Sequence, residues 1–193
     1  MTYHPANGVA AEPSFGMPAA SHTPFDLTTP MNVSTSPAAP LSDTDGLDAL
    51  NASFRSMPPV AAMQIRAVSC NGERIYLHAP LAANVNDKQC AFGGSLASVM
   101  TLAGWSLLSW RLARAGITAE VYVADSRVRY LAPLQEDLLG EACFDEGEDW
   151  SGFLRCFRDR GRARIGVTAC VRDGAGRVVA DLTARFAALR AGT

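Results

Sequence analysis

No C-x-x-C pair occurs anywhere in this 193-residue chain, and two of its three histidines fall in the N-terminal tail, so a zinc site has little to be built from. The five cysteines (Cys70, Cys90, Cys143, Cys156 and Cys170) are odd in number and widely spaced, which fits a reducing, cytoplasmic setting. None has a histidine near it in sequence, so each reads as a small core residue rather than a nucleophile. There is no basic excess either. A formal net charge of -2 gives nothing to neutralise a phosphate backbone, and nucleic acid is not an expected partner. The N-terminus lacks the basic start and continuous apolar core of a secretory signal peptide, and no internal repeat is evident.

Residues 1–42 differ from the remainder. Pro5, Pro13, Pro18, Pro24, Pro30, Pro37 and Pro40 are scattered through Ala, Ser, Thr and Asn with almost no charge. Such a segment cannot bury enough apolar surface to order itself, so a disordered leader over 1–42 and a domain over 43–193 are expected. A secretion or docking signal of another kind stays open for the leader.

What is present is a run from Ala91 to Trp110 without a single charge, opened by Gly93-Gly94. If helical, its apolar residues point in all directions, which means burial in a protein or in a membrane. Its length is close to the roughly 20 residues that span a bilayer. Five Ser and Thr residues and three glycines dilute it, however, and strand-like segments follow at once, so burial inside a protein is expected.

Around this run the pattern alternates. Leu47, Leu50 and Phe54 after the cap candidates Ser42 and Asp43 predict a short amphipathic helix ending before Pro58-Pro59. Met63–Ser69, the turn Asn71-Gly72 and Arg74–Ala79 predict a β-hairpin with Ile75, Leu77 and Ala79 on one face. Glu120–Leu131 places Tyr122, Ala124, Ser126, Val128 and Tyr130 on one face and Val121, Val123, Asp125, Arg127 and Arg129 on the other, and Pro133 stops it. A strand over Leu138–Phe144, a helix over Ser151–Asp159 and a last hairpin turning at Asp173-Gly-Ala-Gly176 complete the domain. Only the concave face of a curled antiparallel sheet has enough apolar surface to cover the long helix. The expected class is therefore α+β, a sheet wrapped around one long central helix, known as the hot-dog fold.

The segments Ala79-Pro-Leu-Ala-Ala-Asn-Val-Asn-Asp87, Phe92-Gly-Gly-Ser-Leu96, Leu102-Ala-Gly-Trp105 and Arg129-Tyr-Leu-Ala-Pro133 together resemble the thioesterase domain at the C-terminus of bacterial YiiD-type proteins. The resemblance runs from about Asp45 to Leu189. It implies a hot-dog fold and a homodimer that pairs two sheets, with a tetramer left open. The implied ligand is an acyl thioester on coenzyme A or acyl carrier protein, and no cofactor or metal is called for.

Hydrolysis of a thioester requires a donor for the carbonyl oxygen, a positioned water and a group that takes its proton. Gly93 and Gly94 stand where unpaired N–H groups and the positive end of the helix dipole converge, and glycine lets a ligand come close. The Gly94 N–H is the expected polarising donor, with Phe92, Gly93 and Ser95 as substrate contacts; a plain tight turn capped by Ser95 is the alternative. No acid occurs between Asp87 and Glu120, whereas many hot-dog thioesterases carry one on the central helix or its lead-in loop. Asn86 and Asp87 are the candidates for positioning water and accepting its proton, or else form an Asn-Asp turn. Thr101, where some relatives carry the acid, is expected to orient water, and Asp125 is a reserve that can instead pair with Arg127 or Arg129.

Arg127 and Arg129 are candidates for coenzyme A phosphates across a dimer seam, with a solvated strand face as the alternative and Arg158, Arg160, Arg162 and Arg164 as competitors. His78 has no acidic partner nearby in sequence and reads as a surface or interface histidine, which disfavours a His-dependent dehydratase. The small residues Gly94, Ala97, Thr101 and Gly104 form a stripe that either accepts an acyl chain or a partner, or lets a strand pack closely.

Overall fold

The computed structural model describes residues 43–190; the leader expected over 1–42 lies outside the described residues. The helix α1 (Asp43–Ser56) is followed at once by α2 (Pro58–Ala62). The sequence reading ended helical structure before Pro58-Pro59, but those prolines start a second helix, where a missing N–H is no loss. Met63 closes α2 and Gln64 adopts a φ of 54°, so the strand expected from Met63 begins only at Arg66.

The strands are β1 (Arg66–Cys70), β2 (Arg74–Ala79), β3 (Glu120–Tyr130), β4 (Leu138–Phe144), β5 (Arg162–Arg172) and β6 (Val178–Leu189). They form one antiparallel sheet in the order β1-β2-β4-β5-β6-β3. The central helix α3 (Gly93–Arg114) crosses its concave face and packs against β2, β3, β4, β5 and β6. A short helix α4 (Trp150–Arg160) covers one end, with Trp150 stacked on Phe153 at 5.0 Å between ring centroids. The core is the inward row of each strand (Ile75 and Leu77, Ile165 and Val167, Leu182 and Phe186) closed over Val99, Met100, Ala103 and Leu107 of α3. No helix among the described residues is long and apolar enough to cross a membrane.

Two glycines set how closely helix and sheet approach. A Cβ on Gly104 would lie 2.6 Å from the Phe186 ring, and one on Gly140 of β4 would lie 2.4 Å from a Val99 methyl. Of the small-residue stripe, therefore, Gly104 belongs to close strand packing and not to an open groove. Gly104→Ala is expected to destabilise the fold by about 1–3 kcal/mol through overpacking. Urea denaturation checks this, and an unchanged midpoint would show that the helix has room to lift.

The alternation expected for β3 breaks at Ala124. Val123 pairs with Phe186 and Asp125 with Arg185, so Ala124 is an extra residue with no opposite number, a β-bulge. Tyr130, Val128 and Ser126 share the helix-facing side of the sheet with Ala180, Leu182 and Ala184, as expected. Beyond the bulge it is Val123 and Val121 that face the helix, paired with Phe186 and Ala188, while Tyr122 turns to the outer side. This corrects the reading that placed Tyr122 with Val128 and Tyr130. The Trp105 indole donates to the Val121 carbonyl at 3.1 Å and holds this half of the strand against α3.

Candidate active site

Nothing caps the start of α3. Phe92 is the N-cap, and its N–H donates to the Asn84 carbonyl at 2.7 Å. The first bond of the helix runs from the Leu96 N–H to the Phe92 carbonyl at 3.0 Å. The N–H groups of Gly93, Gly94 and Ser95 have no partner among the described residues, and the first turn holds no acid. A 22-residue helix thus presents its positive end with three open donors.

Two aromatic rings frame these donors. The Phe92 ring folds over Gly94, so that a Cβ there would lie 2.3 Å from Cε1. From the end of β3, the Tyr130 hydroxyl donates to the Gly93 carbonyl at 3.1 Å. Phe92 and Tyr130 are both 56% exposed, as is Leu131 at 53%, although all three are large and apolar. A shallow depression of about 360 Å³ between Gly93, Leu96, Tyr130, Leu131 and Pro133 adjoins the turn.

From here α3 and β3 run side by side. The Tyr130–Gly93 bond closes one end and the Trp105–Val121 bond the other, about 18 Å apart at 1.5 Å of rise per residue. Ala97 and Thr101 lie half-buried on this side of α3, and Val123 and Ser126 of β3 stay exposed beside them. Sequence reasoning missed this strip because the bulge at Ala124 decides which β3 residues face α3.

The remaining expected residues distribute unevenly. Asn86 is occupied with its own loop. Its Oδ1 accepts from the Lys88 and Cys90 N–H groups at 2.8 and 3.2 Å, and its Nδ2 donates to the Cys90 sulfur. It therefore shapes a loop pinned at its base by the Val85–Ala91 bridge, and its carboxamide is turned inward rather than toward water. Asp87 stands exposed in that loop with no partner among the described residues. Ser95 is buried at 5% exposure and does not cap the helix.

Arg127 and Arg129 lie on the outer side of the sheet, away from the glycine turn. Arg129 is held by Asp181 through two bonds of 2.7 and 2.9 Å, and its hydrogen bond to that carboxylate raises its pKa further. Asp125 pairs with Arg185 at 2.6 Å, not with Arg127 or Arg129. Among the cysteines, burial above all, and then the bond to Glu141, pushes the Cys170 thiol up to about 12, which makes it inert.

His78 does have an acidic partner, 59 residues away: its Nε2 lies 3.0 Å from Asp137 Oδ2, and the Arg66 guanidinium donates to its Nδ1 at 3.3 Å. With both ring nitrogens engaged, it has none left to act as a base. The Leu81 N–H above all, and then His78, hold the Asp137 carboxyl below the usual carboxylate range. Stability from this group is present above the ordinary carboxylate pKa and lost as pH falls through the depressed one. Asp137→Asn is accordingly expected to flatten the acid limb of a melting-temperature profile below about pH 4. An unchanged acid limb would show that the pair does not matter.

The family described as "Putative thioesterase (yiiD_Cterm)" matches residues 47–190 of this chain, which is more than half of its length. The chain belongs to that family. Solved structures with the same fold lie around this YiiD C-terminal thioesterase-family chain. A protein of unknown function from Chlorobaculum tepidum superposes with a TM-score of 0.75 at 25% identity, covering 79% of this chain and 99% of that one. A "putative thioesterase" of Shewanella oneidensis gives 0.68 at 24% identity, with 76% and 99% covered. A thioesterase of Haemophilus influenzae gives 0.58 at 14% identity, with 75% and 90% covered. The YiiD-type domain thus has the hot-dog fold expected from its sequence pattern.

Proposed function

We propose that this protein hydrolyses an acyl thioester carried on coenzyme A or acyl carrier protein, as a cytoplasmic homodimer. The reading is carried by the uncapped start of α3, whose open Gly94 N–H lies beside the exposed Phe92 and Tyr130 rings. A thioester carbonyl oxygen seated there gains a fixed dipole as charge develops on it. Water, deprotonated by Asp87, attacks the carbonyl carbon. The negative charge moves to the oxygen at Gly94, the C–S bond breaks, and the leaving thiolate takes the proton back from Asp87. Phe92, Gly93 and Ser95 form the bed of the thioester, and Asn86 holds the loop that carries Asp87. Ala97 and Thr101 flank the acyl path; Thr101, about 10 Å along α3 from Gly94, is too far to orient the water at that carbonyl.

Support for the dimer comes from β3, an 11-residue edge strand with almost every residue exposed. An open edge of this length invites a second strand, and pairing with the same strand of another copy would satisfy both edges. Arg127 and Arg129, at that seam, are proposed to meet the phosphates of coenzyme A. Because Asp181 already holds Arg129, Arg127 carries the larger share.

The test is release of free coenzyme A from short, medium, long and aromatic acyl-CoA esters, read by mass spectrometry so that the five cysteines do not interfere. Selective turnover and a light-scattering mass of two chains are expected. No release from any coenzyme A or carrier-protein thioester would overturn the hydrolase. One observation favours a second reading, a binding module without turnover: α3 has no acid anywhere along its length. Tight binding without release would select it.

A further inference from the structure

Arginines on most of this sheet hold a carboxylate: Arg74 and Arg172 share Glu141, Arg129 meets Asp181, and Arg185 meets Asp125. Where α4 turns into β5 they do not. Arg158, Arg160, Arg162 and Arg164 are all exposed, and none forms an ion pair among the described residues. Arg190, just past β6, donates to the Arg158 carbonyl at 3.1 Å and brings a fifth guanidinium to the same end of the sheet. Of the nearest acids, Asp159 makes no ion pair among the described residues. Glu120 stands two strands from Arg162, across Leu189, and accepts from the Tyr122 hydroxyl at 2.9 Å.

Helix electrostatics accounts for part of this cluster. Arg158 and Arg160 lie in the last turn of α4, where cations are favourable. Arg162 and Arg164 lie instead on β5, on the same outer face and about 7 Å apart along the strand, where like charges repel. These arginines also border a groove. A cavity of about 510 Å³ is lined by Arg160, Arg162 and Arg164 with Cys156, Ala187 and Leu189, and one of about 430 Å³ shares Arg160, Arg162 and Leu189 and reaches Arg190. Neither an acid nor an aromatic ring lines either one. Leu189, 38% exposed, pairs in register with Arg162 and gives the groove an apolar centre. Exposed apolar surface beside arginine is the makeup of protein-binding surfaces.

The same features choose the occupant. Without an aromatic platform a nucleobase has nothing to stack on. With the whole chain at a net charge of -2, no broad positive field gathers a nucleic acid or an anionic bilayer. The step from Arg162 to Arg164, about 7 Å, matches carboxylates one turn apart on a helix, whose Cβ atoms lie about 5–6 Å from each other. We propose that this groove docks an acidic helix of a partner protein. Two carboxylates one turn apart meet Arg162 and Arg164 in charge-assisted hydrogen bonds, and an apolar side chain beside them covers Leu189. The groove lies about 30 Å along β6 from the residue opposite Tyr130, so it is separate from the glycine turn and does not depend on hydrolysis there.

Calorimetric titration of the full chain with a capped helical peptide of about 16 residues tests this, the peptide carrying two Glu one turn apart beside a Leu. Saturable binding is expected, weaker as salt rises and at least ~10-fold weaker for the peptide with Gln in place of both Glu. Arg162→Glu and Arg164→Glu should each abolish it. Arg55→Glu, the same charge change at an exposed arginine outside the groove, should leave it within about twofold. All three are surface substitutions that spare the fold, which circular dichroism checks. No binding up to about 1 mM, equal binding of the Gln peptide, or an equal loss in Arg55→Glu would overturn the proposal. Pyrophosphate and phosphatidylglycerol vesicles are tested in parallel. Binding of either that Arg162→Glu removes, without binding of the peptide, would make the groove a phosphate or membrane site and overturn the proposal as well.

Discussion

Gly94→Ala is expected to lower kcat/KM at least ~10-fold while leaving the melting temperature unchanged or raised. The N–H survives this substitution, so the loss is smaller than the ~10²–10³ that deletion of an oxyanion donor costs. It arises because the added Cβ would lie 2.3 Å from the Phe92 ring and must push the ring aside. Phe92 is 56% exposed and free to swing outward, so the fold is spared. Alanine also favours a helix over glycine by up to ~1 kcal/mol. Activity and stability therefore move in opposite directions. A turn that is merely structural would instead show little loss of turnover, and steady-state kinetics beside a thermal melt distinguishes the two.

The second large effect is expected from Asp87→Asn. Proton transfer by a positioned side chain contributes about 10²–10⁴ to rate. Because Asp87 is exposed and unpartnered among the described residues, its amide should cost almost nothing in folding. Turnover should fall within that range while acyl-CoA binding, measured calorimetrically, is unchanged. If turnover stays within a few-fold of the original, Asp87 is not the base, and the non-catalytic reading gains.

Much of the fold was written in short-range pattern. β4 occupies the expected Leu138–Phe144, because turn residues flank an apolar stretch of strand length. α3 starts at the paired glycines as expected, because an uncharged run has only one place to go in such a sheet. What failed was whatever depends on an event without a side-chain signature. Glu120–Tyr130 alternates through its whole length, and nothing in the residues marks Ala124 as the bulge. Likewise, His78 looked unpartnered because Asp137 reaches it through sheet packing, not through neighbourhood in the chain. The candidate site was legible as far as the glycine turn. Its frame was not, since Tyr130, 37 positions along the chain, comes to Gly93 only once the sheet has folded. The inward turn of Asn86 was half legible: an Asn-Asp turn was foreseen, but not that it would use up the carboxamide.

The bulge in β3 also bears on how such a chain can drift. Because the side-chain period of a strand is two, a single extra residue inverts everything on one side of it. Deleting Ala124 would turn the bulge into a regular ladder, because Val123 and Asp125 already pair with the adjacent Phe186 and Arg185, so that Val121, Val123 and Tyr122 would keep their present faces. Substituting Ala124, whose side chain is exposed, should likewise pass almost unnoticed. Position 124 is thus free both in identity and in existence, whereas a residue inserted or removed elsewhere in β3 without such a bulge to absorb it would turn one half of the strand over.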